Sequence, residues 1–261
     1  MTYFLLLTAA LSWWPWPLYA VGRMPLPVAS FGPFVAALVV VATTSGRSGL
    51  TAWSRSITRL PVAARWWLVA VALPVTAAVI ATCVHLAVDP SRLSAARLGH
   101  WTDLPLSFAA ALLIPGFGGA WEEPGWRGWA LPHLARRYGT TAASLILGVV
   151  GALWHLPLIL TGLDSWWDLL LLIGANVLLA RLFFAAGGSI WPVMVLHATN
   201  NAFSGSFITP LFTGPEAGMQ AALSAAVWCA MAGAVLVHDR HRLQDEPALH
   251  QPAADANEAQ R

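Results

Sequence analysis

The sequence is poor in charge. Asp, Glu, Lys and Arg supply 10% of its 261 residues, and lysine is absent, so all 14 basic residues are arginine. An average soluble domain is about a quarter charged. A globule of this length could not dress its surface with so few, which excludes an ordinary water-soluble enzyme, a nucleic-acid binder and a disordered chain. The formal net charge of +2 is too small to name a polyanionic partner. The all-arginine usage reflects nucleotide composition rather than chemistry. Cysteine is scarce too: Cys83 and Cys229 each stand in an apolar run, without Cys-x-x-Cys spacing, which argues against a disulfide framework or a metal knuckle. Both are expected to be small buried thiols.

What is abundant is apolar. Hydrophobic residues make up 57% of the chain, mean hydropathy is +0.64, and 15 tryptophans suit interfacial anchoring. Spanning a bilayer takes roughly 20 mainly apolar residues. Runs of that kind occupy residues 1–22, 24–46, 66–88, 104–121, part of 138–163, 166–184, 190–204 and 217–238. The fourth is interrupted by Pro115-Gly116-Phe117-Gly118-Gly119, and the seventh is short and polar. The pattern predicts an all-α polytopic membrane protein with about eight transmembrane helices, some broken or re-entrant. Residues 1–238 form one membrane-embedded domain and residues 239–261 a polar, disordered cytoplasmic tail. The first run lacks the basic start of a secretory signal and is too long for one, so it reads as a span. With the N-terminus inside, inner loops and tail hold eleven arginines and outer loops only Arg23, Arg92 and Arg97. That bias places both termini in the cytoplasm, in a cell inner (plasma) membrane.

Ionisable groups inside a bilayer are costly and are functional candidates by default. Three clusters qualify. The first is Glu122-Glu123, with Arg127 four residues after Glu123 on the same helix face. Pro124 suits a first helical turn there. The second is His155, in an otherwise apolar run. The third is His197 and Asn201, again four apart on one face. Each has a plainer reading: a helix start with a surface ion pair, a hydrogen-bonded core histidine, or polar contacts between membrane helices.

Joint geometry raises their weight. If Gly139 is an inner turn, Glu122 lies 17 residues before it and His155 16 after it. At about 1.5 Å per residue both reach a depth of roughly 25 Å. His197, some ten residues past Gly187-Gly188, would be shallower at about 15 Å, and tilt or a longer inner loop must absorb the difference. The remaining histidines, His85, His100, His133, His238, His241 and His250, read as solvated.

These motifs resemble the CPBP family, the CAAX protease and bacteriocin-processing group of intramembrane proteases. Its signatures are Glu-Glu-x-x-x-Arg, Phe-x-x-x-His and His-x-x-x-Asn. Here they fall on Glu122, Glu123 and Arg127; on His155, with Gly151 at the Phe position; and on His197 and Asn201. The resemblance covers about residues 104–204. It implies an all-helical intramembrane endopeptidase acting on a membrane-associated peptide or protein, with Glu122, Glu123, His155, His197 and Asn201 catalytic and Arg127 in support. Glu122 is then the general base that activates water. In one version His155 and His197 ligate zinc; in the other Glu122 and His155 hold the water while His197 and Asn201 stabilise the oxyanion. No His-Glu-x-x-His motif forces zinc. Two other classes stay open: a transporter, against which the lack of repeats counts, and a non-catalytic scaffold or bacteriocin-immunity protein on the same fold.

Overall fold

The computed structural model describes residues 1–60, 62–90 and 99–245. They are mostly helical, with no strand among them. That is the bilayer's own demand, since backbone N–H and C=O groups in hydrocarbon must be satisfied within the segment. Five stretches of the described residues are long and apolar enough to cross a membrane: Gly32–Thr58, Ala64–Val88, Ala120–Leu160, Asp168–Ala185 and Pro215–Asp239. The protein is a multi-pass, all-α membrane protein.

The other expected spans are the broken ones. Residues 1–22 form Thr2–Trp13 and then Pro15–Ala20, because Pro15 has no N–H to continue the ladder. Residues 104–121 are helical only over Leu104–Leu113 before the Pro-Gly break. Residues 190–204 begin as Trp191–Thr199 and widen into a π-helix, Asn200–Ile208. Asp168–Ala185 packs against both Leu131–Trp154 and Pro215–Asp245. The N-terminal helix lies on Gly32–Thr58 and is tied to the centre by Trp13, whose Nε1 donates to the Trp154 carbonyl at 3.0 Å.

The chain folds back at Gly139, where φ is 78° and ψ 164°, inside Leu131–Trp154. A straight helix would separate Trp126 and Trp154 by about 40 Å. Their ring centroids are 6.4 Å apart. The expected hairpin is therefore present, and Phe4 packs into its aromatic floor against Trp126 and Trp129.

Two expectations need correction. Cys83 is exposed and Cys229 half-buried, so neither is a core thiol. An apolar run faces lipid as readily as protein, and periodicity in a fully apolar helix does not tell the two apart. His85 is not solvated: it is 0% exposed, its Nδ1 bonded to Gln220 Oε1 at 3.0 Å and its ring stacked on Phe212 at 4.3 Å. The last helix continues to Asp245, and Asp239 pairs with Arg181. Arg92, Arg97, His250, Arg261 and the rest of the tail lie outside the described residues.

The dihedrals of Gly139 belong to a region that only glycine occupies freely. Gly139→Val is expected to cost about 1–3 kcal/mol, the scale of such strain. Thermal unfolding in detergent measures it, with Thr140→Ala as the helix-neutral control. An unchanged midpoint for Gly139→Val would show that the turn is not held in this conformation.

Candidate active site

The interrupted fourth run delivers the two glutamates. After Leu113 the chain leaves the helix, and Gly119, at φ 80°, turns it into the 3-10 turn Ala120–Glu122. Glu123–Gly125 follows with Pro124 in its first turn, and Trp126–Ala130 widens into a π-helix. Single π turns recur where side chains must be re-aimed at a functional site. This corner is clamped onto Gly32–Thr58. Trp53 Nε1 donates to the Pro124 carbonyl at 3.0 Å, and a Cβ on Gly125 would lie 2.2 Å from the Pro33 carbonyl oxygen. Only glycine fits there.

The adjacent carboxylates are buried, Glu122 at 5% and Glu123 at 0% exposure, and they point to different tasks. Glu123 faces the protein. Arg127 Nη1 lies 3.0 Å from its Oε2, and its Oε1 accepts from His197 Nδ1 at 2.7 Å. Glu122 faces the cavity. Its Oε2 accepts the indole N–H of Trp126 at 3.3 Å. Its Oε1 and His197 Nε2 converge over the bare Cα of Gly119, where an added methyl would meet them at 2.9 and 2.7 Å.

The partners fix the histidine tautomers. A carboxylate and a carbonyl only accept, so the Nδ1 of each ring carries the proton. His197 gives it to Glu123, and His155 to the Gly151 carbonyl one turn back, at 2.8 Å. Each Nε2 is left as an acceptor in the neutral ring and a donor in the imidazolium. Asn201 Nδ2 donates to the Gly118 carbonyl and so ties the glycine loop to the π-helix.

Glu122, His155, His197 and Asn201 line one cavity of about 820 Å³, as the joint-depth argument requires. The depth mismatch expected for His197 is absent, since its ring reaches Glu123 directly. Glu123 does not line the cavity; it stands behind His197. Arg127 does support Glu123, and it has a second partner that the sequence reading passed over. Its Nη2 donates to Asn176 Oδ1 at 2.6 Å. A lone amide in the apolar run 166–184 is the signal that would have found Asn176, by the same reasoning that singled out His155.

Two imidazoles and a carboxylate are zinc-type donors. Among the described residues, however, no three His, Cys, Asp or Glu side chains group closely enough to hold a metal ion. The histidine and carboxylate side chains thus form no such group by themselves, and no step below is routed through a metal.

With this geometry in place, comparison with known proteins gives a match over part of the chain. Residues 101–203 match the model of the family described as Type II CAAX prenyl endopeptidase Rce1-like. The matched segment contains all six motif residues. The resemblance read from the three signatures is thus borne out for this segment. A curated relative, CAAX prenyl protease 2 of Methanococcus maripaludis, is 40% identical over 52 residues, covering 20% of this chain and 19% of the relative. The chain therefore matches about a fifth of that relative's length.

The cavity also reaches Asp164, in the loop before Asp168–Ala185. Burial, and then the charge of Asp168, push its carboxyl up to about 7. An unfolded Asp titrates near 3.9. Folded Asp164 therefore holds a proton that the unfolded chain loses, and its contribution falls as pH rises from about 4 to about 7. Asp164→Asn should gain thermal stability over the parent between pH 5 and pH 8. An offset that is the same at both pH values would contradict the burial of this carboxyl.

Proposed function

We propose that this chain, carrying the Rce1-like segment just described, is an intramembrane endopeptidase that hydrolyses a peptide bond of a membrane-associated peptide or protein with water activated by Glu122. One observation carries the reading: Glu122 Oε1 and His197 Nε2 converge at Gly119 on the cavity, while Glu123 holds His197 from behind.

The chemistry follows from these roles. A water held by Glu122 and His155 gives its proton to Glu122 and attacks the substrate carbonyl carbon. The tetrahedral oxyanion is met by His197, donating from Nε2 as the imidazolium beside ionised Glu123, and by the second amide proton of Asn201. The C–N bond then breaks and Glu122 passes its proton to the leaving amine. Glu123 takes no part in proton transfer; caught between Arg127 and His197, it keeps the ring in one orientation. Zinc is not part of this scheme.

The membrane placement proposed with it is a plasma-type inner membrane with both termini cytoplasmic, on the arginine bias. Reporter fusions at Arg55, Arg137 and the C-terminus should all read the inner side. An outer-side signal at Arg137 would reverse it.

Mass spectrometry of new N-termini in membranes from cells expressing the parent or Glu122→Gln tests the activity. Cleavage should fall by roughly 10²–10⁴-fold in Glu122→Gln, the scale of a general base, with unfolding unchanged. Gly119→Ala should lose roughly 10²-fold, because a methyl there displaces both reacting groups. Chelation should leave the rate unaltered. Loss on chelation with recovery on zinc would instead establish the metal version, with His155 and His197 as ligands. A parent that generates no cleavage, alongside a Glu122→Gln variant that still complements in cells, would mean a non-catalytic scaffold.

A further inference from the structure

Asn176 stands in the apolar helix Asp168–Ala185 at 6% exposure. A buried amide in such a helix is expensive unless both its ends are bonded. Both are. Its Nδ2 donates to the Leu172 carbonyl at 2.7 Å, and its Oδ1 accepts from Arg127 Nη2 at 2.6 Å. Neither bond survives an exchange of O and N, because a carbonyl cannot donate and a guanidinium cannot accept. The amide orientation is thus fixed by its partners.

Arg127 is the branch point. One terminal nitrogen holds Glu123 and the other holds Asn176. Glu123 in turn accepts from His197. The relay Asn176–Arg127–Glu123–His197 links three segments: Asp168–Ala185, the corner at residues 123–130, and Trp191–Thr199. Asn176 holds the guanidinium on the side away from Glu123, and so keeps it from pivoting and turning the carboxylate that His197 depends on.

Space for this amide comes from Gly151. A Cβ on Gly151 would lie 3.3 Å from Asn176 Nδ2 and 3.9 Å from Oδ1. Gly148, one turn earlier, would meet the Ile173 backbone at 3.1 Å. The two glycines let Asp168–Ala185 approach closely enough for Asn176 to reach across. Gly151 is also the residue whose carbonyl orients His155.

We propose that Asn176 is a positioning residue of the site, acting on His197 through Arg127 and Glu123, and that the missing side chain at Gly151 is the space that admits it. The motif position occupied by Gly151 is therefore not a gap in the packing but one half of a matched pair with Asn176. This rests on the endopeptidase reading for its effect on rate, though not for its effect on His197.

The test uses full-length protein in detergent micelles and two readouts. The first is the Nδ1–H signal of His197 in protein labelled with ¹⁵N-histidine, assigned by its loss in His197→Gln. It should persist in Asn176→Asp, which keeps an acceptor for Arg127, and shift or broaden in Asn176→Leu and Gly151→Leu. The second is the rate of Glu122-dependent cleavage. In both leucine variants kcat should fall roughly tenfold or more, the scale for partners that orient a site residue, with KM nearly unchanged. Asn176→Asp should rescue most of it. The double variant should be no worse than either single one, because both break one link. If a leucine variant does not fold, Gly151→Ala, which crowds Nδ2 without filling the space, replaces it. A normal His197 signal with normal kcat in Asn176→Leu overturns the proposal, as does a fall in thermal stability alone. If no Glu122-dependent cleavage exists, the endopeptidase reading fails, and the His197 signal alone decides for or against the relay.

Discussion

The site depends on one buried ion pair. Glu123 and Arg127 are 0% and 3% exposed in a helical membrane protein, so neither charge is hydrated as a surface pair would be. Stripping one partner from such a pair typically costs about 3–5 kcal/mol, because the other charge is left uncompensated. The pair is affordable only because both groups have further partners: His197 for the carboxylate and Asn176 for the guanidinium. The same bonds that make these charges tolerable also fix the ring of His197.

From that constraint the division of labour between the adjacent glutamates follows. Successive residues of a helix point in different directions. Once Glu123 is committed to Arg127 and His197, Glu122 is turned to the cavity, where Trp126 steadies one oxygen and leaves the other opposite His197 Nε2. The backbone is adapted to this end. The helices carrying Arg127 and Asn201 each widen from α to π at the site, and glycines stand where neighbouring atoms come close, Gly119 beneath Glu122 and His197 and Gly125 against Pro33.

Much of this was legible in the residues. The turn at Gly139 and the shared cavity of Glu122 and His155 follow from counting residues at helical rise, and the edge-on contact of Trp126 with Trp154 across the hairpin agrees with the count. The i, i+4 spacing of Glu123 and Arg127 gave their pairing directly. What the sequence hid was which neighbour a polar group would choose across the bundle. Nothing local says that His197 reaches Glu123 rather than Glu122, that Asn176 crosses to Arg127, or that His85 finds Gln220, since those choices depend on helix rotation and tilt. In a chain this apolar, periodicity does not report rotation, which is also why Cys83 turned out to face outward.

The orientation of His197 by Glu123 is read by solid-state NMR of the protein in lipid, with ¹⁵N in histidine and ¹³C in the glutamate carboxylates. A short-range correlation from His197 Nδ1 to the Glu123 carboxylate is expected, matching the 2.7 Å contact, that disappears in Glu123→Gln and survives in Glu122→Gln. A correlation that disappears in Glu122→Gln instead would exchange the roles of the two glutamates and contradict it.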